Sequence, residues 1–320
     1  MVSAIESDRH QPNVQAALSL SNALGVSVEE LFGNSGDADT RPRVEATLAS
    51  GTAVMTARVG EVVVPVPLEH FTSGFEYWGV PDGVITNGEI VRFEGARHDG
   101  LVISGCDPVL GLLSGLVAQN SGWRIVTQHA STGRSCDSLQ AGLVHGVVVH
   151  APTGALPTPP VPVHRFKVSG WQVGLAGRTQ PPSIEELAEG KIRVVQRDPQ
   201  ATSQETFVSA LRAVGSTRKI NGPIADGHLD VARQVSQGIG KAGVTMEAAA
   251  HAFGLAFQPL QAHSVELWID RRWSELPAVL QLLEQLSSPA FMARATALGG
   301  YDLHGCGNRI PESARQRVQR

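Results

Sequence analysis

The sequence is poor in cysteine. Cys106, Cys136 and Cys306 are its three, too few and too widely spaced for a disulfide framework. No C-x-x-C pair suggests a structural zinc site, and the thiols fit a reducing compartment. A strong charge of either sign is also missing. A formal net charge of −4 argues against a chain dominated by nucleic-acid binding, although a small reader domain needs only a local basic face. The start, "MVSAIESDRH", has no basic stretch followed by an apolar core, so no secretory leader is expected. The longest apolar runs, such as "GLVHGVVVHAP", are far shorter than a bilayer requires. These absences give the expectation of a cytoplasmic chain with no membrane partner.

Recognisable catalytic motifs are absent too. The sequence has no G-x-S-x-G, Walker loop, H-E-x-x-H or G-x-G-x-x-G after a strand. Its eleven histidines are scattered. His145 and His150 are five apart on the "HGVVVH" strand and so point to opposite faces, which is poor metal-ligand spacing. Ser135 and Cys136 have no base near them in sequence. The reading is of a non-enzyme with no catalytic residue, no cofactor and no metal site. A hydrolase or transferase would require Ser135 or Cys136 to meet His129, His150 or His228 in the fold.

What the chain does have is alternation. Aromatic residues make up 5% and hydrophobic residues 42%, with 34 glycines and 19 prolines, a balance suited to packed α/β units with many turns. From about residue 96, strands such as "LVISG", "WRIVTQHA" and "GVVVHAP" alternate with helical stretches. The Pro-rich "TGALPTPPVPV" and strand-like "HRFKVSGWQVGLAG" separate this set from a second of the same grammar. In the second set, "SIEELAEG" carries a capping box, and "SVELWID" is a late strand before two closing helices. Such alternation predicts parallel sheets flanked by helices, and two blocks joined by extended segments predict two lobes with a cleft. Residues 44–95 read as strands, with "TAVMTARVGEVVVPVPL" interrupted at Gly60, Pro65 and Pro67.

In open parallel sheets, ligands sit beyond the carboxyl ends of strands, where helix N-termini offer free N–H groups. Three segments have that form. They are Ser104-Gly105-Cys106-Asp107, the stretch from His129 to Ser135 ("HASTGRS") and the stretch from Arg197 to Gln204 ("RDPQATSQ"). Backbone donors, hydroxyls and the helix dipole at such loops favour a small anion, although the same residues cap helices with nothing bound. The candidate ligand-binding residues are Ser104, Cys106, Asp107, Ser131, Thr132, Gly133, Ser135, Arg197, Thr202 and Ser203, with His228 from the second block. Arg197 and Arg134 are the cationic candidates. Asp107 disfavours a bare anion beside it, and caps its helix or accepts from a ligand hydroxyl or amine.

Near the start, Asn13 is a good N-cap for a helix carrying Val14, Ala17, Leu18, Ser21 and Leu24 at helical spacing, and Gly25 suits its end. Ser27 and Glu30 form the capping box of a second helix. "VSAIESDRHQPNVQAALSLSNALGVSVEELFG" resembles the C-terminal half of the Xre/phage-repressor helix-turn-helix domain. The resemblance covers about a tenth of the chain. It implies that the first two helices and the start of the reading helix would precede Met1. It places Ser3, Arg9, Gln11 and Asn13 on or behind the end of the reading helix as DNA-contact candidates. Residues 1–41 nonetheless hold Arg9 and Arg41 against Glu6, Asp8, Glu29, Glu30, Asp37 and Asp39, two minus six, or −4.

The stretches "LVISGCDPVLGLL", "GLVHGVVVH", "VVQRDPQATSQ", "GPIADGHLDVARQVSQGIGKAGVT" and "LGGYDLHGCG" resemble the periplasmic-binding-protein-like domain attached to such helix-turn-helix modules, related to molybdate- and tungstate-type binding proteins. The resemblance implies a two-lobed, type II α/β fold with parallel-rich sheets, preceded by a partial all-α helix-turn-helix segment. Where oxyanion binders show a Gly-rich R-x-x-G-x-G-[ST]-R turn, this chain has Gln200, Thr202 and Gln204 in place of Gly, Gly and Arg. Lys241 stands for a usual acidic residue. A larger or less charged ligand is therefore as open as a tetrahedral oxyanion.

The expected organisation is a helix-turn-helix segment at 1–34 and a linker with a β-rich connecting segment at 35–95. A ligand-sensing domain follows at 96–310, then a basic tail at 311–320. Within the sensing domain, lobe 1 covers about 96–165 and 270–310, and lobe 2 about 166–269. The implied partners are a small-molecule or oxyanion effector, DNA if the helix-turn-helix is complete, and a second copy forming a homodimer. The alternative is a soluble solute-binding protein whose helix-turn-helix is vestigial.

Overall fold

The computed structural model describes residues 48–68, 80–97 and 99–311, together with Gln15, Ala16, Ser19 and Ala23. The chain divides into two compact units, Met1–Arg41 and Pro42–Arg320. In the first, the four described residues are helical, and the Ser19 hydroxyl donates to the Gln15 carbonyl at 2.9 Å. The DNA-contact candidates Ser3, Arg9, Gln11 and Asn13, the capping box at Ser27, and the basic tail from residue 312 lie outside the described residues.

The second unit opens with a small antiparallel sheet. Strands β1 (Ala53–Val59), β2 (Val62–Pro67), β3 (Gly83–Thr86) and β4 (Glu89–Arg92) pair in the order β2-β1-β3-β4. The segment expected to connect is thus a packed sheet. Pro65 and Pro67 do not interrupt it, because β2 lies at the edge, where a missing N–H is tolerated. The inner face of this sheet, including Ala57, Val59, Val64 and Val66, shares one core with Val102, Val126, Val147 and Trp268 of the larger sheet. Arg124 fastens the join by donating through Nη1 to both Asp82 oxygens at 3.0 Å, while the Thr56 N–H donates to Asp82 Oδ2 at 2.6 Å.

The main sheet has nine strands and two halves. On one side run β5 (Leu101–Gly105), β6 (Ile125–His129) and β7 (Gly146–Pro152). Helices α1 (Val109–Ser121) and α2 (Thr132–Gln140) alternate with them. On the other run β9 (Val194–Arg197), β10 (Ile224–Ala225) and β11 (Ala242–Met246). Here the helices are α3 (Ile184–Ala188), α4 (Thr202–Ala213), α5 (His228–Ser236) and α6 (Glu247–Ala252). Two 15-residue strands, β8 (Val163–Gly177) and β12 (Ala256–Asp270), run antiparallel through both halves. The strand order is β10-β9-β11-β8-β12-β7-β5-β6, with the short β13 (Arg309–Ile310) also on β8. Helices α7 (Pro277–Leu286) and α8 (Pro289–Leu298) close the first half.

Local sequence explains these elements. Strand β5 is buried at every residue and reads as an unbroken apolar run because neighbours cover both its faces. The α3 capping box forms as written, with the Ser183 N–H donating to Glu186 and the Glu186 N–H to Ser183. Gly122 ends α1 at φ 72°, the left-handed position that glycine enters without a Cβ penalty. No helix among the described residues is long and apolar enough to cross a membrane. The expected lobe boundaries near 165 and 269 fall inside β8 and β12. Those strands belong to both lobes, so no single residue divides them.

Candidate functional site

Each half-sheet directs loops from the carboxyl ends of its parallel strands toward the crossover. In lobe 1, the β5–α1 loop brings Ser104, Cys106 and Asp107, and the β6–α2 loop brings His129 through Ser135. Their polar groups are largely taken up by one another. Ser104 and Ser135 share a hydroxyl hydrogen bond at 2.9 Å. Thr132 Oγ1 donates to the His150 carbonyl and accepts from the His150 N–H, at 3.1 and 3.2 Å. The Ser131 hydroxyl caps α2 through the Arg134 N–H, and Gly133 is exposed in the first turn. Asp107 is 3% exposed and accepts from the Val109 N–H, the Trp171 indole and the Tyr301 hydroxyl, at 3.0, 3.0 and 2.9 Å. Burial raises its carboxyl above the usual range, and those three donors oppose the rise. Asp107, expected among the ligand contacts, ties the loop to the crossover and the C-terminal segment and also lines the cavity described below.

Lobe 2 differs. Arg197 ends β9 and is 2% exposed. Its Nη1 donates to the Ala225 carbonyl at 3.3 Å, while its Nε has no hydrogen-bond partner among the described residues. No carboxylate among those residues lies within 4.0 Å of the guanidinium, and burial lowers its pKa. Ser203, fully buried in the first turn of α4, also has a hydroxyl without a partner there. The neighbouring Thr202 contributes its carbonyl, which accepts from Thr206. His228 opens α5 after Gly227 and is 1% exposed, with Nε2 unpartnered. A Cβ on Gly227 would come within 2.9 Å of His129 Nε2, so glycine permits the two lobes to approach at this point.

The crossover completes the centre. Trp171 of β8 and His263 of β12 are paired in register, and their rings stack with centroids 5.4 Å apart. His263 Nδ1 lies 3.1 Å from His150 Nδ1, and His150 Nε2 lies 3.2 Å from Cys106 Sγ. Burial depresses these imidazoles: His129 and His263 to about 4, and His150 and His228 well below the usual value, with Arg197 adding to the depression at His129, His150 and His228. All four are neutral near pH 7. Burial pushes the Cys106 thiol up to about 11, against the pull of Arg197. A cavity of about 540 Å³ opens beside them, lined by Gly105–Asp107, His129 and Gly227–Leu229 and walled by Met55 and Val66–Leu68 of the small sheet.

Of the candidate residues, Cys106, Arg197 and His228 come together, and they interact electrostatically. Gly133 is turned to solvent. Ser135 bonds Ser104 and the Ala130 carbonyl, and among the described residues no hydrogen bond joins it to a histidine. Sequence reasoning missed His150, His263 and Trp171. The one local signal was that His150 faces away from His145, whose Nδ1 accepts the Val102 N–H on the other side of the sheet.

Two lobes sharing two crossover strands, with loops converging on a buried polar centre, define a bilobal ligand-binding protein. The sequence matches the PBP superfamily domain over residues 114–287, more than half of the chain, and the chain belongs to that family. No curated protein sequence matches it. Among solved structures, it is similar to a Clostridium perfringens protein described as a phosphate ABC transporter substrate-binding protein with bound phosphate. That match has 10% identity and a TM-score of 0.51, covering 64% of this chain and 99% of that one. An ABC-type phosphate transport receptor from Vibrio cholerae gives 12% identity and 0.45, over 63% and 99%. The effector-binding domain of QuiR in complex with shikimate gives 8% and 0.46, over 62% and 99%. The first of these shows the shared fold.

Proposed function

We propose that the cleft takes up a small anion, with a tetrahedral oxyanion such as molybdate among the candidates, and that the lobes close on it. One observation carries this reading: the Arg197 guanidinium is buried with no counter-ion at contact distance among the described residues. Asp198, Asp226 and Asp230 attract this charge without a contact ion pair, and a ligand anion would supply a partner at contact distance together with acceptors for the bare Nε. Ser203, in the first turn of α4, offers a neutral donor, and the N-terminus of that helix adds free N–H groups and a favourable dipole.

In this reading the chain is a cytoplasmic, homodimeric transcription regulator in which lobe closure is the input and residues 1–34 are the output. The resemblance of those residues to a repressor-type helix-turn-helix supports it. Ligand binding would shift the population of closed lobes and so the disposition of two DNA readers on their half-sites. The balance of −4 over residues 1–41 favours the second reading, a solute-binding protein whose N-terminus no longer reads DNA.

A thermal-shift series with molybdate, tungstate, sulfate and phosphate, run in chelator, tests the anion reading. A ligand at 100 times its dissociation constant adds about 2.7 kcal/mol of stability. If none of the four raises the melting temperature, the small-oxyanion assignment is lost. A DNA titration across salt concentrations, with and without the active anion, separates the two outputs. Sequence-selective binding with a steep salt slope supports the regulator, and its absence supports the solute-binding protein.

A further inference from the structure

Cys106, His150 and His228 each offer one ligand atom to a common point, and those atoms lie within 4.8 Å of one another, all three residues being buried. The surrounding hydrogen bonds determine which imidazole nitrogens carry protons. Thr206 Oγ1 donates to the Thr202 carbonyl at 3.0 Å, and a carbonyl can only accept. The same oxygen must then accept from His263 Nε2–H, 3.1 Å away, which leaves His263 Nδ1 bare. His150 Nδ1–H donates to that atom, so His150 Nε2 presents a lone pair toward Cys106 Sγ. The same logic applies to His228. The single proton of Thr245 Oγ1 goes to the His228 carbonyl at 2.9 Å, so that oxygen accepts from His228 Nδ1–H at 3.4 Å. His228 Nε2 is left bare, buried and unpartnered.

We infer that Cys106, His150 and His228 form a binding site for a first-row transition-metal ion of the zinc type, with a fourth coordination position open to an exogenous ligand. Two imidazole lone pairs and one thiolate are the donors that such an ion takes, at about 2.0–2.1 Å for nitrogen and 2.3 Å for sulfur. Three protein ligands leave a tetrahedral ion one position for an exogenous ligand, whereas structural sites are closed by four. The His263–Thr206 chain behind His150, and Thr245 behind His228, are the outer hydrogen bonds that fix ring orientation around a metal. Binding breaks the Cys106 S–H bond, forms the metal–thiolate bond and releases one proton to solvent, with no change of oxidation state. Arg197 favours the thiolate and leaves the assembled centre positive, the sign that would hold an anion in the fourth position. This site does not depend on the anion reading and goes beyond it.

The test uses the reduced, chelator-stripped full chain titrated with Co²⁺ in a buffer free of oxyanions. A thiolate-to-cobalt charge-transfer band with the intense visible bands of tetrahedral coordination is expected, bleached by Zn²⁺. Cys106→Ser should abolish the charge-transfer band, while Cys136→Ser and Cys306→Ser keep it. His228→Gln should lose tetrahedral intensity. No band in the folded wild-type chain, or a band that survives Cys106→Ser, overturns the proposal. Should Cys106→Ser not fold, His263→Phe, which removes the acceptor of His150 Nδ1–H, provides an independent measurement, with Zn²⁺ affinity expected to fall about 10–100-fold while the band persists. Unchanged affinity there removes the basis for assigning His150. Because the anion series is run in chelator and the cobalt series without oxyanion, either proposal can fail while the other stands.

Discussion

The two faces of the cleft are built from the same parts and use them differently. On the lobe 1 face, Ser104, Ser135, Thr132 and Ser131 satisfy one another or the backbone, and Asp107 accepts from Val109, Trp171 and Tyr301. On the lobe 2 face, Arg197, Ser203 and His228 each keep a buried polar atom without a partner among the described residues. An unsatisfied buried group costs stability, so a face that holds three of them is shaped for something other than the unliganded fold. In the proposed reading lobe 1 is the pre-set wall, with Gln128 Oε1 its one unpartnered buried side-chain oxygen among the described residues of β5 to β7, and lobe 2 carries the groups that a ligand would complete.

The sharpest way to break this contrast is at Arg197. Arg197→Met should remove the anion-dependent thermal shift, a loss of about 2–5 kcal/mol in binding. The same variant should cost the unliganded chain little stability in urea melts, because the burial penalty of the guanidinium is lost together with its attraction to Asp198, Asp226 and Asp230. A variant that still shifts with anion would put the ligand elsewhere. On the other face, Asp107→Ala leaves the Trp171 indole and two further donors without their acceptor. About 3 kcal/mol of stability should be lost by chemical denaturation, and a negligible change would show that this loop is not held as described.

Serines sharpen the comparison at a smaller scale. Ser104→Ala strands part of the Ser135 hydroxyl and should cost about 1 kcal/mol, whereas Ser203→Ala removes an unpaired hydroxyl and should cost none while weakening anion binding. Equal stability losses at the two positions would erase the distinction between the faces. The smallest effect belongs to the Arg134–Asp198 ion pair, which reaches from one lobe to the other at 2.8 Å but is largely solvent-exposed. A double-mutant cycle should give less than about 1 kcal/mol, vanishing at high salt.

Much of this molecule could be read from its sequence, and what could not shares one physical origin. The alternation of strands and helices, the three loops and the α3 capping box depend on neighbours a few residues apart, so local pattern reports them. Arg197 was visible because it follows a strand and precedes a helix. His150 and His263 were not, since 113 residues separate two side chains that meet only through the pairing of β7, β12 and β8. The length of β12 was hidden for a related reason: Pro259 sits inside it, beside an irregularity that absorbs the missing donor. The small sheet was read as connecting strands because its core partners, Val126 and Trp268, lie far along the chain.

The two long strands carry a mechanical consequence. Register shifts in the β8–β12 pairing fall between Pro259 and Gln261 and between Val265 and Glu266, one on either side of His263. His263 therefore sits on a short, regularly paired stretch between two local kinks, opposite Pro152 of one lobe and Trp171 of the shared strand. Its ring is also the middle bearing of the relay from Thr206 to His150. Its two neighbours thus tie the His150 ring to the strand that both lobes share, so the direction of the His150 lone pair is set by the crossover and not by lobe 1 alone.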